Sequence, residues 1–163
     1  MSDRAPVERS YVVRDAAPRD VYDVVVDFEA YPALFPEFKS ARVISRQAER
    51  QPDGRPPLTR VEFRVEVVLK VRYVLDLACD PEALTVDWTY VEGEVVADST
   101  GRWRFTAEGA ATRIDYRASV LIKAPLPGFV VRKATDALVA ASIPGMFASI
   151  DRQVRVRRTS KTS

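Results

Sequence analysis

The side chains that could carry acid–base or nucleophilic chemistry are carboxylates, tyrosines, lysines, arginines and one cysteine, because the chain contains no histidine. This excludes Ser-His-Asp and Cys-His catalysis and most zinc sites. The lone cysteine, Cys79, lies in an apolar run, which is typical of a buried, unreactive thiol. One cysteine forms no internal disulfide and no cysteine-based metal cluster. We therefore predict no metal site and no cofactor.

Three carboxylates are candidates for acid–base chemistry by position only: Asp76, Glu92 and Glu94. Asp76 falls on the outward phase of a predicted strand. Glu92 and Glu94 fall in a predicted loop, where paired carboxylates are typical of a solvated turn. The sequence therefore assigns no catalytic residue, and whether the chain is an enzyme stays open.

A second group of chemically useful side chains is aromatic and shares the inward phase of the predicted strands. Its members are Phe63, Tyr73, Trp88, Tyr90, Trp103, Phe105 and Tyr116. Aromatic side chains dominate many cores, so ordinary core packing is one interpretation. Tyrosine hydroxyls and tryptophan N–H groups also need hydrogen-bond partners when they are buried. A cavity that holds water or a ligand with one or two oxygens would supply those partners.

The strands that position these aromatics are indicated by apolar residues at alternate positions. Between Val61 and Leu77 every odd residue is apolar. A single strand of this length would reach roughly 55 Å, so the segment must turn, and we place the turn near 68–70. A three-residue turn keeps the odd positions on one face. Further strands are predicted at 7–14, 39–47, 84–90, 102–105 and 113–122, with a looser segment at 92–101.

The helices are indicated by proline positions and by apolar residues at helical spacing. A helix starting at Pro18 is predicted to reach about Phe28, followed by a short helix within 31–38. A long helix is predicted from Pro127 to about Arg157. Its uncharged middle, 137–150, is too short to span a bilayer and must face the sheet or another apolar partner. Pro144 predicts a kink or break there.

This order, strand, two helices, about six strands and a long helix, predicts an α+β domain with an antiparallel sheet. The 163 residues suffice for one domain, with an ordered core at about 7–157. A net charge of +2 argues against nucleic acid as the main partner. The first ten residues have no apolar core and so do not form a signal peptide, which favours a cytoplasmic protein.

Several stretches resemble the START-like (helix-grip) superfamily, and within it the polyketide cyclase/dehydrase and coenzyme-Q-binding family. They are residues 21–43, which include Y-P-A-L-F-P, then W-T-Y-V-E-G at 88–93, G-R-W-R-F at 101–105, and the closing helix. The resemblance implies a curved antiparallel sheet of about six to seven strands around the C-terminal helix. It also implies a deep apolar cavity between them, in which such proteins bind lipids, quinones, polyketides or hormones.

In this fold the short helix at 31–38 and the loop at 125–127 would flank the mouth of the cavity. From the inward phase and the resemblance we predict sixteen lining residues: Tyr31, Leu34, Phe35, Phe38, Phe63, Val65, Tyr73, Leu75, Trp88, Tyr90, Trp103, Phe105, Tyr116, Phe129, Leu138 and Met146. Three functions stay open. They are binding of a small hydrophobic molecule (a lipid, quinone or polyketide-like compound), polyketide cyclisation or dehydration, and a ribosome- or protein-interaction role.

The basic C-terminal segment, D-R-Q-V-R-V-R-R-T-S-K, also has two interpretations. Cations near a helix C-terminus are stabilised by the helix dipole, and Asp151 and Arg155 are spaced for an i,i+4 ion pair. Alternatively, the cluster attracts an anionic membrane surface, where a lipid carrier would load. The apolar helix could also bury against a second subunit, so the oligomeric state stays open.

Overall fold

The structure is a computed structural model that describes residues 6–66, 70–123 and 127–162, without the side chains of 134, 137–141 and 160–162. The elements are β1 (Val7–Val13), α1 (Pro18–Val25), a 3-10 turn (Phe28–Ala30), α2 (Tyr31–Leu34), β2 (Phe38–Arg46), β3 (Leu58–Glu66), β4 (Lys70–Asp80), β5 (Thr85–Glu94), β6 (Val96–Glu108), β7 (Ala111–Ile122) and α3 (Gly128–Thr162). This is the predicted α+β order.

The strands form one curved antiparallel sheet in the order β1-β7-β6-β5-β4-β3-β2. Strand β3 pairs with β4 so that Val61 lies opposite Leu75 and Phe63 lies opposite Tyr73. The odd positions of both strands therefore share one face, as the alternation predicts. The three residues between the paired ends Glu66 and Lys70 lie outside the described residues, and so does most of the predicted turn at 68–70.

Part of the core lies where α1 and the second half of α3 cover the sheet. Helix α1 begins at Pro18, whose missing N–H costs nothing at a first helical position. It buries Val21 and Val24 completely, and α3 buries Ile150 and Val154 to the same degree. Side chains at such helical spacing form one apolar stripe, and its burial against the sheet positions both helices.

Helix α3 is continuous from Gly128 to Thr162 and contains Pro144. Of the predicted kink or break at this proline, the break is therefore wrong. Pro144 is exposed, whereas Ile143 and Phe147 on either side are buried against the sheet. Because the same core anchors the helix before and after the proline, packing outweighs the local cost of the lost backbone hydrogen bond.

The segment at 92–101 is not loose, because β5 extends to Glu94 and β6 begins at Val96. Val95 alone separates the strands and adopts a φ of 74°, which is unusual for a β-branched residue. The Tyr90 hydroxyl donates to the Val96 carbonyl at 2.7 Å, and the Lys123 N–H donates to the Val95 carbonyl at 2.5 Å. These two bonds hold the reversal where the sequence lacks standard turn residues.

The C-terminal end of α3 is fixed by its own basic residues. Asp151 and Arg155 form the predicted i,i+4 ion pair at 3.0 Å, and Asp151 also accepts a hydrogen bond from the Tyr11 hydroxyl at 2.8 Å. Arg155 donates to the Arg14 carbonyl at 3.0 Å, and Arg157 donates to Asp27 Oδ2 at 2.7 Å. These contacts support the first interpretation of the basic segment, in which its charges secure the helix.

Candidate functional site

An apolar cavity of about 190 Å³ lies between the concave face of the sheet, the short helix α2 and the middle of α3. Strands β3 to β7 all contribute side chains to it, because the inward-facing positions of each strand point the same way. Its lining residues are Tyr31, Phe35, Phe38, Phe63, Tyr73, Leu75, Leu77, Trp88, Val96, Ser99, Trp103, Tyr116, Ala118, Val120 and Met146.

The structure places ten of the sixteen predicted residues around this cavity: Tyr31, Phe35, Phe38, Phe63, Tyr73, Leu75, Trp88, Trp103, Tyr116 and Met146. Sequence reasoning missed five lining residues: Leu77, Val96, Ser99, Ala118 and Val120. Leu77, Ala118 and Val120 share the inward phase of predicted strands, so the alternation alone could have found them. Val96 and Ser99 lie in the segment predicted to be loose, and no sequence signal marked them.

Five of the other six predicted residues do not line the cavity, and the side chain of the sixth is not among those that the structure describes. Leu34 and Phe105 are buried in the core away from the cavity lining, and Val65 and Tyr90 are partly buried outside it. Phe129 is 72% exposed at the start of α3. The side chain of Leu138 is outside the described residues.

The cavity walls are built from aromatic rings in contact. On one side the Tyr31 ring stacks against Phe63 at 5.7 Å between centroids. On the other side Trp103 contacts Tyr116 at 4.6 Å, and Trp88 stacks on Tyr116 at 5.9 Å. Such ring pairs add stability beyond the area that they bury, so we expect the two walls to be rigid.

Trp88 is positioned by two neighbours on β6. Its indole Nε1 donates to Ser99 Oγ at 3.1 Å, and Ser99 itself is buried. Its six-membered ring lies over Gly101, where an added Cβ would overlap both the ring and the Arg117 carbonyl. Glycine is therefore required at 101 for the ring to lie against the strand.

Three tyrosine hydroxyls belong to cavity-lining residues. The Tyr31 hydroxyl donates to the Val25 carbonyl at 2.6 Å. The hydroxyls of Tyr73 and Tyr116 donate to no residue that the structure describes. Burial raises the pKa of both Tyr73 and Tyr116, and the nearby Tyr116 raises that of Tyr73 further. Both side chains therefore remain protonated hydrogen-bond donors at neutral pH.

No Asp, Glu, Lys or Arg belongs to the cavity lining within the described part of the chain. Asp76 instead forms a two-pronged ion pair with Arg60, at 2.8 and 2.9 Å. Glu92 lies on β5 and pairs with Arg72 at 3.2 Å, and Glu94 also lies on β5. In the described ranges no group of three or more His, Cys, Asp or Glu could hold a metal ion. The polar groups of the cavity are hydroxyls and indole N–H groups.

The chain matches the model of the family "Polyketide cyclase / dehydrase and lipid transport" over residues 15–143. None of the curated proteins matches it by sequence. Among the described residues, no helix is both long and apolar enough to cross a bilayer.

Several solved structures share this fold. A protein of Thermus thermophilus is 22% identical, with a TM-score of 0.81, covering 93% of this chain and 98% of that protein. The Zhui aromatase/cyclase of Streptomyces sp. R1128 is 17% identical, with a TM-score of 0.81 and coverages of 93% and 94%. A START superfamily protein of Mycobacterium smegmatis is 21% identical, with a TM-score of 0.73 and coverages of 93% and 98%.

Proposed function

The chain belongs to the polyketide cyclase/dehydrase and lipid transport family, and we propose that it binds a small, neutral, ring-containing molecule with a carbonyl oxygen. The ligand would occupy the cavity between the sheet and α3, with its oxygen facing Tyr73 and Tyr116. One observation carries the proposal: Tyr73 and Tyr116 line an apolar cavity, and their protonated hydroxyls have no acceptor among the described residues.

The size of the cavity supports a ligand rather than a few trapped waters. A water molecule needs about 10–15 Å³, and an apolar cavity of about 150 Å³ admits benzene. The cavity here measures about 190 Å³. Its aromatic walls provide flat surfaces for stacking, so a molecule built on one or two rings fits both its volume and its shape.

The hydrogen-bonding groups support an acceptor on that ligand. Both tyrosines are half-buried, and a hydroxyl withdrawn from water without a partner costs up to about 1–3 kcal/mol, so the pair favours an occupant that accepts hydrogen bonds. A carbonyl oxygen has two lone pairs and so can accept two hydrogen bonds. The lining has no cation among the described residues, so a carboxylate or phosphate ligand would leave its charge unpaired. A neutral ketone or quinone fits best.

Ligand binding is favoured over catalysis because the described lining contains no general base. Cyclisation or dehydration of a polyketide requires proton removal from carbon, which a carboxylate or histidine ordinarily performs. The tyrosines here have raised pKa values, so they donate hydrogen bonds but do not take up protons at neutral pH.

A polyketide cyclase is the second candidate, and the same two hydroxyls favour it. Paired donors on a carbonyl oxygen would stabilise the negative charge that develops when the adjacent carbon loses a proton. The cavity would then contribute by folding a reactive chain and holding its ends together. Turnover of a soluble poly-β-ketone mimic, lost in a Tyr73→Phe, Tyr116→Phe double variant, would favour this candidate over simple binding.

Native mass spectrometry of freshly purified protein, followed by organic extraction, tests the proposal. We expect a bound neutral molecule with a ring and a carbonyl group, or saturable binding of 1-tetralone, a two-ring ketone, by protein that is empty. An empty protein that binds neither 1-tetralone nor a quinone would contradict the proposal. It would direct attention to the protein-interaction role instead.

A further inference from the structure

The hydroxyl of Ser99 is a hydrogen-bond donor that finds no acceptor in the cavity lining. Ser99 lies on β6, lines the cavity and is only 7% exposed. Its Oγ accepts a hydrogen bond from the Trp88 indole Nε1 at 3.1 Å. A serine hydroxyl has one O–H donor and two acceptor lone pairs, so this bond occupies a lone pair and leaves the O–H unused. No residue that the structure describes accepts from that O–H.

A structural role explains only the acceptor half of this hydroxyl. Leaving the buried Trp88 indole N–H unpaired would cost free energy, and the Ser99 oxygen prevents that. The strand positions beside Ser99 are otherwise apolar: Val120 lies opposite it on β7 and also lines the cavity. The donor half therefore remains to be explained, at a position more than nine-tenths buried.

Trp88 holds the Ser99 oxygen in place and strengthens its hydroxyl as a donor. The Trp88 ring lies over Gly101 and stacks on Tyr116 at 5.9 Å between centroids, so the indole has little freedom to move. A hydroxyl that accepts a hydrogen bond is polarised and becomes a better donor. Ser99 is therefore a preorganised donor, and binding loses less entropy to such a group than to a mobile one.

The number of unused donors in the lining exceeds what one carbonyl oxygen can accept. Among the described residues, four donors of the lining have no acceptor: the hydroxyls of Tyr73, Tyr116 and Ser99, and the Trp103 indole N–H. One carbonyl oxygen accepts two hydrogen bonds. A ligand with a single carbonyl group therefore leaves at least two donors unpaired, which weakens binding. A second oxygen on the ligand removes this deficit.

We propose that Ser99 donates a hydrogen bond to a second oxygen of the ligand, so that the cavity selects ring compounds with two oxygens over ring ketones with one. The inference rests on the proposed function, in which Tyr73 and Tyr116 bind the carbonyl oxygen. Ser99 is then a specificity-determining residue, and Trp88 is the residue that positions it.

Titration with a matched set of ligands tests this selection in the wild-type protein. The set is 1-tetralone with its 4-, 5- and 7-hydroxy derivatives, which place a second oxygen at different points of the same two-ring frame. At least one derivative should bind about three- to tenfold more tightly than 1-tetralone, the equivalent of one hydrogen bond. If wild type binds 1-tetralone and binds no hydroxy derivative more tightly, the proposal is overturned.

Ser99→Ala shows whether the gain comes from this hydroxyl. The variant also removes the acceptor of the Trp88 indole, so every ligand should bind more weakly. The readout is therefore the ratio of the affinities for the hydroxy derivative and for 1-tetralone. This ratio should fall to about one in Ser99→Ala and be retained in Ser99→Thr, which keeps a hydroxyl. A lower affinity for both ligands with an unchanged ratio would mean that Ser99 is only structural.

Thr100→Ala is the matched control, because Thr100 is exposed and the next residue of a strand points to the opposite face. It should keep the wild-type ratio, and an equal loss of the ratio there would contradict the assignment to Ser99. The same titrations separate this proposal from the proposed function. A preference for 1-tetralone over tetralin without any gain from a hydroxyl overturns the selection alone. Absence of 1-tetralone binding overturns the proposed function and this inference with it.

Discussion

Tyr73 and Tyr116 face one cavity from strands β4 and β7, and neither hydroxyl donates a hydrogen bond to any residue that the structure describes. Their surroundings are otherwise aromatic and aliphatic, with no charged residue among the described lining residues. A fold that only needed a stable core would place phenylalanine at both positions at less cost. Two hydroxyls held this way favour a binding site for an oxygen-bearing apolar molecule.

Removing either hydroxyl should weaken the binding of a ketone without weakening the fold. In Tyr73→Phe and in Tyr116→Phe, affinity for 1-tetralone should fall about three- to tenfold, the equivalent of one hydrogen bond. Affinity for tetralin, the matching hydrocarbon, should not fall. The melting temperature of the empty variants should equal or exceed that of wild type, because an unpartnered polar group has been removed.

The matched control for these variants is Tyr90→Phe, which removes a hydroxyl outside the cavity lining. That hydroxyl donates to the Val96 carbonyl at 2.7 Å. The control should therefore lose stability by about 0.5–1.5 kcal/mol while keeping its preference for the ketone over the hydrocarbon. If Tyr73→Phe and Tyr90→Phe behave alike in both measurements, the Tyr73 hydroxyl has a structural role only.

Filling the cavity should separate ligand binding from stability. Val120 lines the cavity and is only partly buried, so Val120→Phe adds apolar volume into open space. We expect the free energy of unfolding to stay the same or rise, because a void loses contacts that the larger side chain restores. Binding of 1-tetralone should be abolished. Ile44→Phe, at an exposed position away from the cavity, should leave binding intact. Calorimetric titration measures the binding of 1-tetralone to both variants.

Gly101→Ala should displace Trp88. The added Cβ would overlap the Trp88 ring and the Arg117 carbonyl, and a strand backbone cannot shift as freely as a flexible side chain. We expect a loss of about 1–3 kcal/mol in unfolding free energy and a changed near-UV circular dichroism spectrum. For Gly128→Ala no atom of the described residues lies within 4 Å of the added methyl group, so this variant serves as the control. An unchanged spectrum in Gly101→Ala would contradict this placement of Trp88.

The stability of the protein should fall in acid partly through Asp80. Its carboxylate accepts backbone N–H bonds from Ala83 at 3.1 Å and Glu82 at 3.0 Å, which lower the pKa of Asp80 below its usual value. The resulting stabilisation is therefore complete above the unfolded pKa of about 3.9 and is lost as the pH falls through the lower, folded pKa.

Asp80→Asn tests this titration, because the asparagine oxygen still accepts the two N–H bonds but does not ionise. Chemical denaturation at a series of pH values should show a shallower loss of stability below about pH 4 in the variant than in wild type. Equal slopes in Asp80→Asn and wild type would refute the role of Asp80.

The fold was largely predictable, because apolar and polar residues alternate along the strands and this alternation determines which side chains are buried. Phe63 and Tyr73 lie on opposite strands of one hairpin, yet their odd numbering alone placed them on one face. Ten predicted residues consequently line the same cavity. The prediction of a helix break failed at Pro144, because the burial of Ile143 and Phe147 comes from distant contacts that a helix-breaking residue does not reveal.

The part of the site that escaped prediction depends on contacts between segments far apart in sequence. Ser99 lines the cavity only because β6 begins at Val96, directly after the tight reversal at Val95. That reversal is held by the Tyr90 hydroxyl and by Lys123, neither of which resembles a turn signal. The hydrogen bond from the Trp88 indole to the Ser99 hydroxyl could therefore not be predicted from the sequence.

The central claim is that the cavity binds a ring ketone through Tyr73 and Tyr116, and intrinsic fluorescence tests it most directly. The two tryptophans of the chain, Trp88 and Trp103, both line the cavity, so an occupant must alter their emission. Titration with 1-tetralone should give a saturable change, with a preference over tetralin that disappears in the Tyr73→Phe, Tyr116→Phe double variant. No saturable change in wild type, or the same preference in the double variant, would contradict the claim.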